Sequence, residues 1–164
     1  MTNDSTLIHE LKEEISQLKK QLAESEELIR DISAPIIPSI VPETILVPIT
    51  GRLFPERFEM IITRILNESY REDIHTIIID FSAISEKEIC ELDVFGTYID
   101  NMAKAISLMG VEVIFVGFTP SLTQIIVNSG LQQILEVKSF LSFRTALQYL
   151  MQQRGLQFQN INDQ

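Results

Sequence analysis

His75–Thr76–Ile77–Ile78–Ile79–Asp80–Phe81 is the stretch that decides the fold. A continuous β-branched run ending in an acid suits a strand buried on both faces of a sheet. Downstream, Leu92, Phe95, Ile99, Met102, Ala103, Ile106 and Met109 fall on one helical stripe. Gly110 stands where helices stop, and Val111 to Val116 reads as the next strand. Between the first strand and the helix lies a loop, Ser82 to Glu91. The helix N-terminus therefore sits beside the carboxyl end of a strand. In open α/β sheets, ligands and phosphate groups collect there.

Working outward, Thr44 to Ile49 reads as a strand, with Pro48 pointing to a sheet edge or strand end. Thr50–Gly51 turns the chain, and Pro55 opens a helix with Phe58, Ile61, Ile62, Ile65 and Leu66 inward. On the other side, Thr119 caps a helix with Pro120 at its first position. That helix carries Leu122, Ile125, Ile126 and Val127 and stops at Ser129–Gly130. Ile134 to Val137 is predicted as a short edge strand. Ser139 to Gln153 is predicted as the last helix, with Phe140, Phe143, Ala146, Leu147 and Leu150 inward. This alternation predicts an α/β domain: a mainly parallel sheet of about four or five strands with about four helices.

Ahead of it, Ile8, Ile15, Leu22 and Ile29 recur every seven residues, paired with Leu11, Leu18 and Ile32; Ser25 is the gap. Isoleucine at one seam position with mostly leucine at the other favours a parallel two-stranded coiled coil, and so a homodimer. The competing reading is one amphipathic helix lying on its own domain; the narrow stripe favours the coil. Pro35 and Pro38 force the chain to extend after Ser33. The expected organisation is a coil over 1–33, a domain over 34–155 and a disordered tail over 156–164.

The chain has 164 residues and a net charge of −10. That charge argues against a nucleic-acid partner and against an anionic membrane surface. One cysteine allows no internal disulfide. The start Met1–Thr2–Asn3–Asp4–Ser5 is polar, and no apolar run reaches membrane-spanning length. A cytoplasmic protein is expected. His9 and His75 are the only histidines, which leaves little for a triad or a metal site. Cys90 has no histidine partner, and no Gly-rich phosphate loop occurs. Asp80 is similar to the phosphoacceptor of response-regulator receivers, but Thr50–Gly51–Arg52 stands where receivers carry an acidic pair. No enzyme, metal or cofactor is expected. The glutamates of residues 86–91 read as a solvated face.

The order of elements, the Asp80–Phe81–Ser82–Ala83–Ile84–Ser85 loop, Val116–Gly117–Phe118–Thr119–Pro120–Ser121 and Asn128–Ser129–Gly130–Leu131 resemble a STAS domain, the anti-sigma-factor antagonist fold. Ile32–Ser33–Ala34–Pro35–Ile36–Ile37–Pro38 and Gly51–Arg52–Leu53–Phe54–Pro55–Glu56–Arg57 bring it nearest to the RsbR-type stressosome proteins. The resemblance spans roughly residues 28–152. It implies a non-enzymatic regulator that assembles with other STAS proteins and holds or releases a switch-type serine/threonine kinase, and so controls a sigma factor. Members of the family usually carry a sensory domain ahead of the junction; here the residues ahead of it read as a coil, so no bound sensory cofactor is expected.

The family is controlled by phosphorylation at the starts of two helices. By resemblance the first position falls on Pro55 and the second on Asp93, or on Val94 if the alignment slides by one residue. None has a hydroxyl group. The preceding loop is about four residues longer than usual, and Ser82, Ser85, Glu86, Glu88 and Glu91 are its candidate partner-binding residues. Ser82, Ser85 or Thr97 are the alternative acceptors. Asp93 reads either as an N-cap or as a standing negative charge in place of phosphate. The alternative function is a structural scaffold or adaptor subunit without kinase binding.

Overall fold

A computed structural model describes residues 2–71, 73–131 and 138–159, with side chains from Asp4 and not for residues 30–33 or Arg71. The chain divides into two compact units, Met1–Ser33 and Ala34–Gln164. The first unit is one helix, α1 (Thr2–Ser33). In the second, the order is β1 (Ile37–Pro38), β2 (Thr44–Pro48), α2 (Pro55–Arg71), β3 (Thr76–Asp80), a 3-10 turn (Glu86–Glu88), α3 (Leu92–Leu108), β4 (Glu112–Val116), α4 (Pro120–Asn128), β5 (Ser139–Phe140) and α5 (Phe143–Gln153).

The strands lie in the order β1-β2-β3-β4-β5. β2 to β5 are parallel, and β1 is an antiparallel edge in which Ile37 faces Leu46. A proline on an edge strand leaves no ladder bond broken, which suits Pro38. Parallel neighbours joined by right-handed crossovers in a steady order put their helices on one face. Accordingly α2, α3 and α4 cover Ile45, Val47, Ile77, Ile79, Val113 and Phe115. On the opposite face α5 packs Ala146 and Leu150 against Ile78, Ile114 and Val116. The run Ile77–Ile78–Ile79 is thus buried from both sides, as the sequence predicts.

The structure changes two boundaries. Ser139 and Phe140 belong to β5, and Ser142 is the N-cap of α5, its side chain accepting from the Thr145 amide. The last helix therefore begins at Phe143, and the Phe140 ring meets Tyr149 at 5.0 Å from β5. The predicted strand Ile134–Val137 falls outside the described residues. At the amino end of the sheet, Arg154 Nη2 donates to Thr76 Oγ1 (3.2 Å) and Lys138 pairs with Glu112, which ties α5 and β5 to the central strands.

At the carboxyl end, the Phe81 amide donates to the Val116 carbonyl (2.9 Å). Gly117, at φ +78°, lies against Ser82: a Cβ there would meet the Ser82 hydroxyl and come within 2.5 Å of its amide nitrogen. Gly110 has φ +75° with nothing within 4 Å. Gly110→Ala should therefore cost about 1 kcal/mol, the strain of a left-handed residue alone. Gly117→Ala should cost at least about 2–3 kcal/mol more, because backbone must move. Urea unfolding of both variants separates the two effects.

Candidate functional site

The starts of α2 and α3 lie together at the carboxyl end of the sheet. Phe58 is the fourth residue of α2 and Phe95 the fourth of α3, and their rings approach to 6.0 Å. Phe58 also stacks on Tyr98 at 4.9 Å. Pro55 opens α2, and Arg57 folds back so that its Nη1 donates to the Arg52 carbonyl (2.7 Å). Burial pulls the Arg57 pKa below its ordinary value. Burial pushes the Tyr98 phenol up, and the charges of Glu91, Glu59 and Glu56 push it further. The carboxylates of both helix starts thus act on one ring.

The loop before α3 is anchored. Phe81, Ile84 and Ile89 are buried. Leu53 and Ile89 form a parallel bridge, with the Leu53 amide donating to Glu88 O (2.6 Å) and the Cys90 amide to Leu53 O (2.9 Å). Asp80 Oδ1 accepts from the Ser82 amide (2.8 Å). Ser85 and Glu88 form a capping box around the 3-10 turn: the Ser85 amide and hydroxyl both donate to Glu88 Oε2, at 2.7 and 2.5 Å. These bonds hold the Glu88 carboxyl below the usual range. Of the five candidate loop residues, Ser82, Glu86 and Glu91 are exposed, while Ser85 and Glu88 are half-buried and bonded to each other. The loop is therefore not simply a solvated face.

Glu91 is the N-cap of α3, with no side-chain cap bond, so Asp93 is the second helical residue and not the cap. Its carboxylate is exposed, and Val94 behind it is half-buried. Asp93 lines a cleft of about 430 Å³ with Leu92, Thr97, Ile125, Asn128 and Ser129. Gly96 explains the cleft's far wall: a Cβ there would lie 3.1 Å from Ser129 Cβ and 3.3 Å from Leu131 Cδ1. A larger residue would require Ser129 and Leu131 to give by a few tenths of an ångström. Ser129 Oγ donates to the Ile125 carbonyl (2.8 Å), and Asn128 Oδ1 accepts from Gln124 (2.9 Å).

Sequence reasoning placed Asp93 and Pro55 at two helix starts but brought neither the two starts together nor Ile125, Asn128 and Ser129 against Asp93. The signal was present in Gly96 within a helix and in Asn128–Ser129–Gly130–Leu131. In α1, Ile8, Leu11, Ile15, Leu18, Leu22 and Ile29 are 46–60% exposed, and the Ile32 side chain lies outside the described residues. No helix among the described residues is long and apolar enough to cross a membrane.

The family model described as STAS domain matches residues 31–146. Moorella thermoacetica RsbS, in a serine-to-glutamate variant, superposes with a TM-score of 0.60 at 15% identity, covering 75% of this chain and 98% of that one. The anti-sigma factor antagonist SpoIIAA in its unphosphorylated form gives 0.55 at 15% identity, with 76% and 99% covered. A chain from the stressosome, described as a signal integration and transduction hub, gives 0.58 at 14% identity, with 73% and 98% covered. At these identities the likeness is one of fold. No curated protein matches the chain.

The Ser85–Glu88 box makes a pH prediction. Glu88 has its folded pKa lowered, so its stabilisation is present above the unfolded pKa and is lost as pH falls through the folded one. Ser85→Ala removes the hydroxyl donor and leaves the amide. Carboxyl NMR titration should show the Glu88 midpoint moving part of the way back to the ordinary carboxylate value. An unmoved midpoint would mean that the box does not hold in solution.

Proposed function

Because this chain belongs to the STAS-domain family, we propose that it is a non-enzymatic regulatory subunit of a partner-switching pathway. In this reading it works in the cytoplasm, assembles with like subunits and binds a switch-type serine/threonine kinase that governs a sigma factor. The observation that carries the reading is the cleft at the start of α3. There an exposed carboxylate, Asp93, lines the cleft with Asn128 and Ser129; the resemblance aligns Asp93, or Val94 one residue on, with the family's phosphate acceptor. A helix N-terminus bears about half a positive charge. A phosphate there would bring roughly −1.5 to −2 charges; Asp93 brings a permanent −1. At the other helix start, Pro55 has no hydroxyl to modify. The kinase contact is therefore biased constantly towards the phosphorylated-like state.

Residues 1–33 serve as a parallel two-stranded coil, 34–155 as the STAS domain and 156–164 as a tail. The exposed seam Ile8, Leu11, Ile15, Leu18, Leu22 and Ile29 supports the coil, since such a row of apolar side chains is stabilised by a partner helix.

Two measurements test this. Sedimentation of the full chain should show a dimer or larger, and Ile15→Glu with Leu22→Glu should give a smaller particle with the sheet domain still folded; a monomeric native chain would refute the coil. Incubation with a switch kinase and ATP should leave Pro55, Asp93 and Val94 unlabelled. Phosphate mapped to Ser82, Ser85 or Thr97 would instead mean that the acceptor has moved.

Asp93→Ser restores a hydroxyl group and removes the charge. It should cost only about 0.3–1 kcal/mol of stability, the charge–dipole part. Kinase affinity should change at least about fivefold at low salt, and the change should shrink at high salt. No kinase binding by either protein would favour the scaffold function instead.

A further inference from the structure

We propose that the outer side of α5 is a docking groove for the acidic helix-start end of a second copy, giving a head-to-tail contact distinct from the coil. The groove measures about 1010 Å³ and runs along Phe143, Leu147 and Met151, with Leu156 and Phe158 of the following segment as its other wall. Phe143, Leu147 and Met151 recur every four residues on α5; they pack partly against the core beside Ala146 and Leu150, and the edges left uncovered line the groove. Phe158 is 78% exposed in that wall. A concave apolar wall with a few polar groups can seat a side chain of a partner.

Charge identifies the occupant. In a chain of net charge −10, residues 138–159 contain Lys138, Arg144 and Arg154 and no acid. Arg144 lines the groove, and its side chain is in no ion pair with the described residues. The groove therefore fits an apolar knob flanked by carboxylates. The same chain carries one: Leu92 is partly exposed between the exposed acids Glu91 and Asp93. Glu56 and Glu59 of α2 add negative charge at that end, acting with Glu91 on Tyr98. Groove and knob are different surfaces, so the contact is heterologous and propagates from copy to copy. This rests on the assembly with like subunits proposed above, to which it gives a surface, and does not depend on kinase binding.

The test uses the full chain with the coil broken by Ile15→Glu and Leu22→Glu. Sedimentation at low salt should show concentration-dependent association that disappears at about 0.5 M salt. In that background, Arg144→Glu damages the groove, and Glu91→Gln with Asp93→Asn damages the knob. Each protein alone should associate at least tenfold more weakly. Mixing the two should not simply average: the intact knob of one and the intact groove of the other should form a heterodimer that stops at two. Gln148→Glu, which adds a negative charge at an exposed groove position, should act like Arg144→Glu and covers the case in which that variant misfolds. A coil-broken chain that stays monomeric at low salt would overturn the proposal. So would a mixture that fails to pair, since the groove would then take some other occupant.

Discussion

The burial of β3 from both sides is the constraint on which the domain depends. Ile77 and Ile79 face α2–α4, and Ile78 faces α5. Each such isoleucine contributes roughly 1.5–3 kcal/mol on burial. A slip of one residue would exchange the two faces, so register is strongly held. That register reaches the carboxyl end of the sheet, where the helix starts lie. Pro48 pairs with Asp80, and Asp80 with Val116, so the three connections leave the sheet at one level. The loops then lock together through the Phe81–Val116 bond and the Ser82–Gly117 contact. The helix starts lie side by side because the strands beneath them end side by side.

Most of this was legible in the chain because it is local or periodic. The β-branched run, the helical stripes of α2 and α3, the caps Thr119 and Pro120 and the break at Pro35 all sit within a few residues of what they determine. What was misread is short or non-local. β5 has two residues, too few for an alternation to show, and its Phe140 looked like the first apolar residue of the helix that follows. β1 is equally short and carries Pro38. The cap of α3 was misassigned because Asp93 is the better capping side chain; Ile89, pinned to Leu53, fixes the chain so that Glu91 takes the cap geometry instead. The cleft joins Asp93 to Asn128 and Ser129, more than thirty residues away. No period reports such a contact.

The loop from Ser82 to Glu91 shows how an extension can be made rigid. Its length alone suggests a mobile segment. Its buried Ile84 and Ile89, the backbone bridge to Leu53 and the Ser85–Glu88 box leave it little freedom. The exposed residues that remain, Ser82, Ala83, Glu86, Lys87, Cys90 and Glu91, are presented on a fixed frame beside α3. A partner that reads this end meets a preformed surface, and preformed surfaces bind with less ordering cost.

Magnitudes limit what Asp93 can do. A charge at an exposed helix start is worth about 0.3–1 kcal/mol. Moving a two-state equilibrium from 1:99 to 99:1 requires roughly 5.5 kcal/mol of differential binding. One carboxylate therefore cannot be a switch; it can only set a standing bias at its site. Larger responses require several sites to be engaged together. Linking modules raises avidity by about 10²–10⁴ without new contacts, provided that geometry allows simultaneous engagement. A seam of exposed isoleucine and leucine along a 32-residue helix is the feature of this chain that suits such linkage. If each domain carries only a small bias, the number of domains held together decides whether a partner is kept or let go.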